Sequence, residues 1–142
     1  MRVVLQRVSH AKVMVDDQIT GQIGVGLLVF LGVGKEDNST IVEQMVDKIH
    51  KLRIFADQDG KTNLSSSEVQ AQILVVSQFT LCADCSKNRP SFSAAADAKF
   101  AQDLYEYFVQ CCKSKFARVE TGRFGADMSV HLCNDGPFTL VL

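Results

Sequence analysis

Ser77-Gln78-Phe79-Thr80 brings two hydroxyls, an amide and an aromatic ring together where an apolar run, Ile73 to Val76, gives way to a polar loop. Side chains mounted at the end of a buried strand are well placed for binding and chemistry. Ser77 or Thr80 could attack a carbonyl, but an oxygen nucleophile needs a base to take its proton. The three histidines, His10, His50 and His131, stand in neither a G-x-S-x-G nor an H-E-x-x-H context. A strand-end hydroxyl more often bonds to nearby backbone, so this reading weighs against covalent catalysis. Cys82-Ala83-Asp84-Cys85 has C-x-x-C spacing, which suits a redox pair or half a zinc site. No second matched pair exists, since Cys111 and Cys112 are adjacent and Cys133 stands apart near His131. Reduced thiols and no metal are therefore expected. A last unusual element is Asn134-Asp135-Gly136-Pro137, whose proline belongs at an edge, a bulge or a turn. A cis bond there could hold successive carbonyl oxygens rigidly toward one pocket, but spacing leaves cis and trans open.

Residues 2–8 and 11–15 alternate as strands with a break at Ser9-His10, and Ile19–Ile23 returns after a turn at Asp16-Asp17-Gln18. Leu27–Val33 is apolar enough to be a central strand buried on both faces. The glycines around it lack G-x-G-x-x-G order before a helix, so close packing explains them better than phosphate binding. A first helix should begin near Asn38 to Thr40, with a capping box at Thr40-Ile41-Val42-Glu43, and run to Leu52. Arg53–Ala56 reads as a short strand, 61–70 as polar loop and Ile73–Val76 as a buried strand. A second helix is expected over Ala94–Lys115, with Phe100, Ala101, Leu104, Tyr105, Phe108, Val109 and Cys112 as its core stripe. A segment at 118–121, a turn at 122–125, a strand at 128–133 and a closing strand at 138–142 follow, with 134–137 interrupting the last two. Strands and helices in this order give a mixed α+β chain with two long helices against sheet, one domain over 1–142.

The chain has 142 residues and a net charge of -1, so no global basic excess drives nucleic-acid binding. Local cations at Lys87 and Arg89, and at Lys113, Lys115 and Arg118, remain available. No run approaches the roughly 20 apolar residues of a membrane span. The first residues read as a strand and not as a targeting segment, which makes the cytoplasm the expected location.

Ser77-Gln78-Phe79-Thr80-Leu81 together with Asn134-Asp135-Gly136-Pro137-Phe138-Thr139 resembles the motif pair of the D-aminoacyl-tRNA deacylases. The similarity extends through Gln6-Arg7-Val8, Gly26-Leu27-Leu28, Arg53-Ile54-Phe55, Arg89-Pro90-Ser91-Phe92 and Thr121-Gly122-Arg123-Phe124. One departure is Phe138, where the family usually carries Val. The resemblance implies a three-layer β/β/α fold and an enzyme that hydrolyses the ester of D-aminoacyl-tRNA, and of glycyl-tRNA, as chiral proofreading. It implies a homodimer in which a cis Gly136-Pro137 enters the partner's site and screens out L side chains, with Arg7 and Asn134 supporting that gate. Ser77, Gln78, Phe79 and Thr80 would line the pocket and offer backbone N–H groups. The tRNA's aminoacylated 3′ end is the implied partner, and no cofactor is implied. A tRNA-binding module without activity, a sibling deacylase for L esters and a C-x-x-C redox protein are the competing readings.

Overall fold

The computed structural model describes residues 1–142. Its spine is a parallel pair, β3 (Gly26–Gly32) beside β6 (Gln72–Ser77), in register from Gly26 opposite Gln72 to Leu31 opposite Ser77. A parallel pair needs a crossover connection. Helix α1 (Ser39–Lys51) and the hairpin of β4 (Arg53–Ala56) with β5 (Thr62–Ser65) supply it. Both faces of the spine are buried, as its continuous apolar sequence requires. Leu27, Val29, Leu31, Ile73 and Val75 face a core shared with α1 and with α2 (Ala98–Lys113). Leu28, Leu74 and Val76 face a second core with Val8, Ala11, Val13 and Ile23.

That second core is closed by β1 (Arg2–Val15), which pairs with β3 over its first half and with β2 (Gln18–Ile23) over its second. Its other edge carries β8 (Ser129–Val141), while β7 (Val119–Thr121) extends the sheet from β6. The sheet curls until its ends meet: a Cβ on Gly21 of β2 would lie 2.5 Å from the Thr121 carbonyl of β7. Helices, spine and curled outer strands form the β/β/α layering that the resemblance implied.

Several local readings change. The expected break at Ser9-His10 is a bulge inside one continuous strand, because Val8 pairs Asn134 and His10 pairs Cys133, leaving Ser9 as the extra residue. Helix α1 is capped by Asn38, whose side chain accepts the Ile41 N–H at 3.1 Å, and not through the Thr40–Glu43 box. The loop expected at 61–70 contains β5, paired to β4 where Arg53 bonds the Asn63 carbonyl at 2.6 Å. Helix α2 starts at Ala98 and not at Ala94. Ala95 bridges Gly34 in extended form, the Ala96 N–H reaches Val33 O, and Asp97 then caps Phe100 N at 3.1 Å. Phe100, in that first turn, is 38% exposed and falls outside the core stripe. The C-terminal interruption is likewise a bulge in one strand, not a gap between two.

Phe108 is fully buried where α2 meets the spine. Phe108→Ala should cost about 3–5 kcal/mol, read as a lower urea midpoint at unchanged slope.

Candidate active site

The β6 ladder ends on a single hydrogen bond, Gln78 N–H to Leu31 O at 2.8 Å. Directly after it the backbone winds into a 3-10 turn over Phe79–Cys82. The strand therefore does not continue past Ser77, and Phe79 and Thr80 point by turn geometry instead of alternating across a strand. Gln78 spends its N–H on the ladder. The N–H groups of Phe79 and Thr80, first in the turn, have no partner in the chain, because a helix start leaves its leading donors unused. They are the donors this segment offers to a ligand.

The side chains agree with this assignment. The Gln78 amide donates to the Thr80 hydroxyl at 2.6 Å, and no histidine, lysine or carboxylate bonds either Ser77 or Thr80. The turn itself is tied down by Arg2, which donates to Leu81 O at 3.2 Å, and by buried Cys82. All five cysteines are free, with Cys82 buried and Cys85 exposed, so the C-x-x-C spacing makes no bond. Burial pushes the Cys112 thiol far above its ordinary range, which keeps it protonated and inert.

Two clefts flank the turn and share Ser77, Phe79 and Gly125 as a common wall. One, about 270 Å³, is apolar and lined by Leu31, Val33, Ala96, Ala98, Ala101 and Phe124 besides that wall. The other, about 240 Å³, adds Gln78, Asp127 and Met128. Each is slightly below the usual size of a small-molecule site, and together they suit a larger group lying across Phe79. Phe79 is 54% exposed and meets Phe92 edge-to-face at 5.0 Å, so an aromatic floor faces solvent. Tyr105 holds the wall from behind, its hydroxyl donating to Val75 O at 2.9 Å and its ring 5.6 Å from that of Phe124. A larger, shallow hollow of about 420 Å³ at Asp16, Asp17, Asp127 and His131 is carboxylate-rich, the wrong sign for a phosphate-bearing ligand.

Sequence reasoning singled out Ser77, Gln78 and Phe79, and the structure brings them to the clefts. Thr80 lies beside them and lines neither. The far walls were missed as site residues: Ala96 comes from the extended segment before α2, Ala98 and Ala101 from the start of α2, and Phe124 to Met128 from the turn after β7. The paired glycines of Thr121-Gly122-Arg123-Phe124-Gly125-Ala126 were the available signal.

At the other end of the sheet, Gln6 pairs Thr139 and Val8 pairs Asn134, so residues 135–138 bulge out opposite Arg7 alone. The Arg7 side chain, 11% exposed, fills the space beneath them. Its Nε donates to Asp135 O at 3.1 Å and lies 3.1 Å from the Asp135 carboxylate, while Nη1 donates to Ile54 O. Its guanidinium stacks 5.0 Å from the centre of the Phe138 ring. Gly136 has φ +125°, and a Cβ there would also meet Arg7 Nη2 at 3.0 Å, so only glycine fits. The Gly136-Pro137 bond is cis. Asn134 pairs with Val8 in the ladder and its side chain makes no hydrogen bond. Gly136 and Pro137 line neither cleft of their own chain.

The model of a protein family described as D-Tyr-tRNA(Tyr) deacylase matches residues 4–142. The chain belongs to this deacylase family. The D-aminoacyl-tRNA deacylase of Thermotoga petrophila is 52% identical over 143 residues, spanning 100% of this chain and 96% of that protein. That of Clostridioides difficile is 53% identical over the same share of both. Among solved structures, one titled c-Myc DNA Unwinding Element Binding Protein superposes with a TM-score of 0.96 at 39% identity, covering 100% of this chain and 97% of the other. A probable eukaryotic D-amino acid tRNA deacylase superposes at 0.89 and 17% identity, covering 99% and 97%, a likeness of fold.

Arg7→Ala would strip Ile54 O of its partner and the Phe138 ring of its cation. A cost of about 1–3 kcal/mol is expected, with faster amide exchange of Gly136 and Phe138 than of the β3–β6 ladder, measured by hydrogen exchange.

Proposed function

We propose that this deacylase, with residues 1–142 acting as one catalytic unit, hydrolyses the ester joining a D-amino acid to the terminal ribose of tRNA. Glycyl-tRNA is a second substrate, since glycine has no side chain to be screened. The reading is carried by whole-chain similarity, at about half identity, to proteins named D-aminoacyl-tRNA deacylase. The site's chemistry supports it. A water attacks the ester carbonyl, the C–O bond to the ribose breaks, and the ribose oxygen leaves as its hydroxyl with the proton the water gives up. The Phe79 and Thr80 N–H groups receive the developing oxyanion. One such donor is worth roughly 10²–10³ in rate, about 3–4 kcal/mol, which is enough for an ester already prone to hydrolysis. Ser77 and Gln78 position the substrate, Phe79 supplies the aromatic floor, and no covalent intermediate forms on Thr80.

Chirality is read by a second copy of the chain. The Gly136-Pro137 bulge stands clear of its own clefts, and β8 pairs with β1 along one edge only, leaving the other edge for a partner. Inserted into the partner's cleft, the bulge presents carbonyl oxygens and a proline ring where an L side chain would lie, with Arg7 as its support. The role is proofreading in translation, with the aminoacylated 3′ end of tRNA as the ligand and the cytoplasm as the place of work.

Incubation with D-Tyr-tRNA, L-Tyr-tRNA and Gly-tRNA tests this: the first and third esters should be lost and the second kept. Loss of none would leave a tRNA-binding module, and loss of the L ester alone would mean the sibling activity. Thr80→Ala keeps the backbone donor, so turnover should stay within about tenfold of the parent. Abolished turnover in a folded, tRNA-binding variant would mean that the hydroxyl is the reacting group.

A further inference from the structure

The chain carries one more acid than base, and five of its fifteen lysines and arginines are ion-paired. Arg7, Lys51, Lys99, Lys115 and Arg118 are each within ion-pair distance of a carboxylate. Lys87 and Arg89 have no such partner and sit in a projecting hairpin rooted at the active site. Asp84 and Ser91 close its base with two backbone bonds of 2.8 and 2.9 Å. One residue beyond that base Phe92 packs on Phe79, and two residues before it the 3-10 turn ends at Cys82. Every residue from Ser86 to Arg89 is exposed. The carboxylate at the base, Asp84, accepts the Ser86 N–H at 2.9 Å and makes no ion pair with Lys87 or Arg89.

Two further unpaired cations are close in sequence to cleft residues. Arg123 adjoins Phe124, and Lys35 lies two residues from Val33; neither makes an ion pair or a side-chain hydrogen bond. Two neighbouring acids are already engaged, Asp97 in capping α2 and Asp37 with the Gly34 N–H and the N-terminus, while Asp127 lines the polar cleft.

We propose that the 84–91 hairpin, through Lys87 and Arg89, grips phosphates of the single-stranded 3′ end of the tRNA. The inference rests on the deacylase reading above. With the ester at Phe79, the next phosphates lie on the order of 10 Å away, the reach of about three extended residues from the hairpin base. Without these two cations the chain has 13 bases against 16 acids, a net charge of -3, so the phosphate grip falls to local cations such as these, at the terminal nucleotides. This explains how a chain of net charge -1 engages RNA.

The test compares the parent with a Lys87→Ala, Arg89→Ala variant on D-Tyr-tRNA and on 3′-O-D-tyrosyl-adenosine, which has the same ester and no phosphate. Binding of uncharged tRNA is measured in parallel over a range of KCl. Losing two single-strand contacts should flatten the slope of log Kd against log salt by about 1.4, equivalent to roughly 25-fold weaker binding at 0.1 M. The kcat/KM on D-Tyr-tRNA should fall to match, leaving the loss on the adenosine ester below about twofold. An unchanged salt slope overturns the proposal. So does an equal fall on both esters, which would mean that the hairpin acts by packing Phe92 on Phe79. A parent that binds tRNA but cleaves neither ester removes the deacylase reading, and the binding slope still decides the hairpin's role.

Discussion

The parallel pairing of β3 with β6 is the constraint from which the rest of the molecule follows. Its strands, Leu27 to Leu31 and Ile73 to Val76, are apolar on both faces, so the pair must be covered on both. The helices cover one face and the curled outer strands the other. Because the pair is parallel, the chain must leave and return, and α1 with the β4–β5 hairpin fills that crossover. Its last rung, Gln78 N–H to Leu31 O, fixes where the strand ends and where two backbone donors become free.

The site has a small side-chain inventory, and the unpaired groups at its turn are the backbone N–H donors of Phe79 and Thr80. A nucleophile–base pair would need an ordered triad of side chains, and none is bonded to Ser77 or Thr80 here. Amide donors held by a buried ladder are already oriented, so they lose little on meeting a developing charge. What the side chains add is shape: alanines on α2, Phe79 and Phe92 on the floor, and Tyr105 bracing Phe124 from the core.

Arg7 does for the C-terminal bulge what the ladder does for the 3-10 turn. A four-residue excursion with a glycine at φ +125° would be loose by itself, since its backbone has left the ladder. One nearly buried guanidinium meets the Asp135 main chain and carboxylate, the Ile54 carbonyl and the Phe138 ring. The Phe138 ring gives that guanidinium a cation–π contact that a smaller aliphatic residue could not offer.

Much of the fold was legible in the order of residues, because burial on one or two faces is a local pattern. The double-faced strands, the helix stripes and the two motifs at 77–81 and 134–139 were all readable, and the motif pair identified the family. What the sequence by itself determined is therefore the element types, their order and the chemical identity of the two motifs. Tertiary structure decided the rest, for the physical reason that pairing and closure join residues far apart in the chain. It made β1 one bulged strand because β3 and β8 hold both its edges, and it drew Ala95 and Ala96 out of α2 to pair with Gly34 and Val33. It ended β6 at Ser77, built each cleft from separate segments, and set Arg7 beneath a bulge 128 residues away.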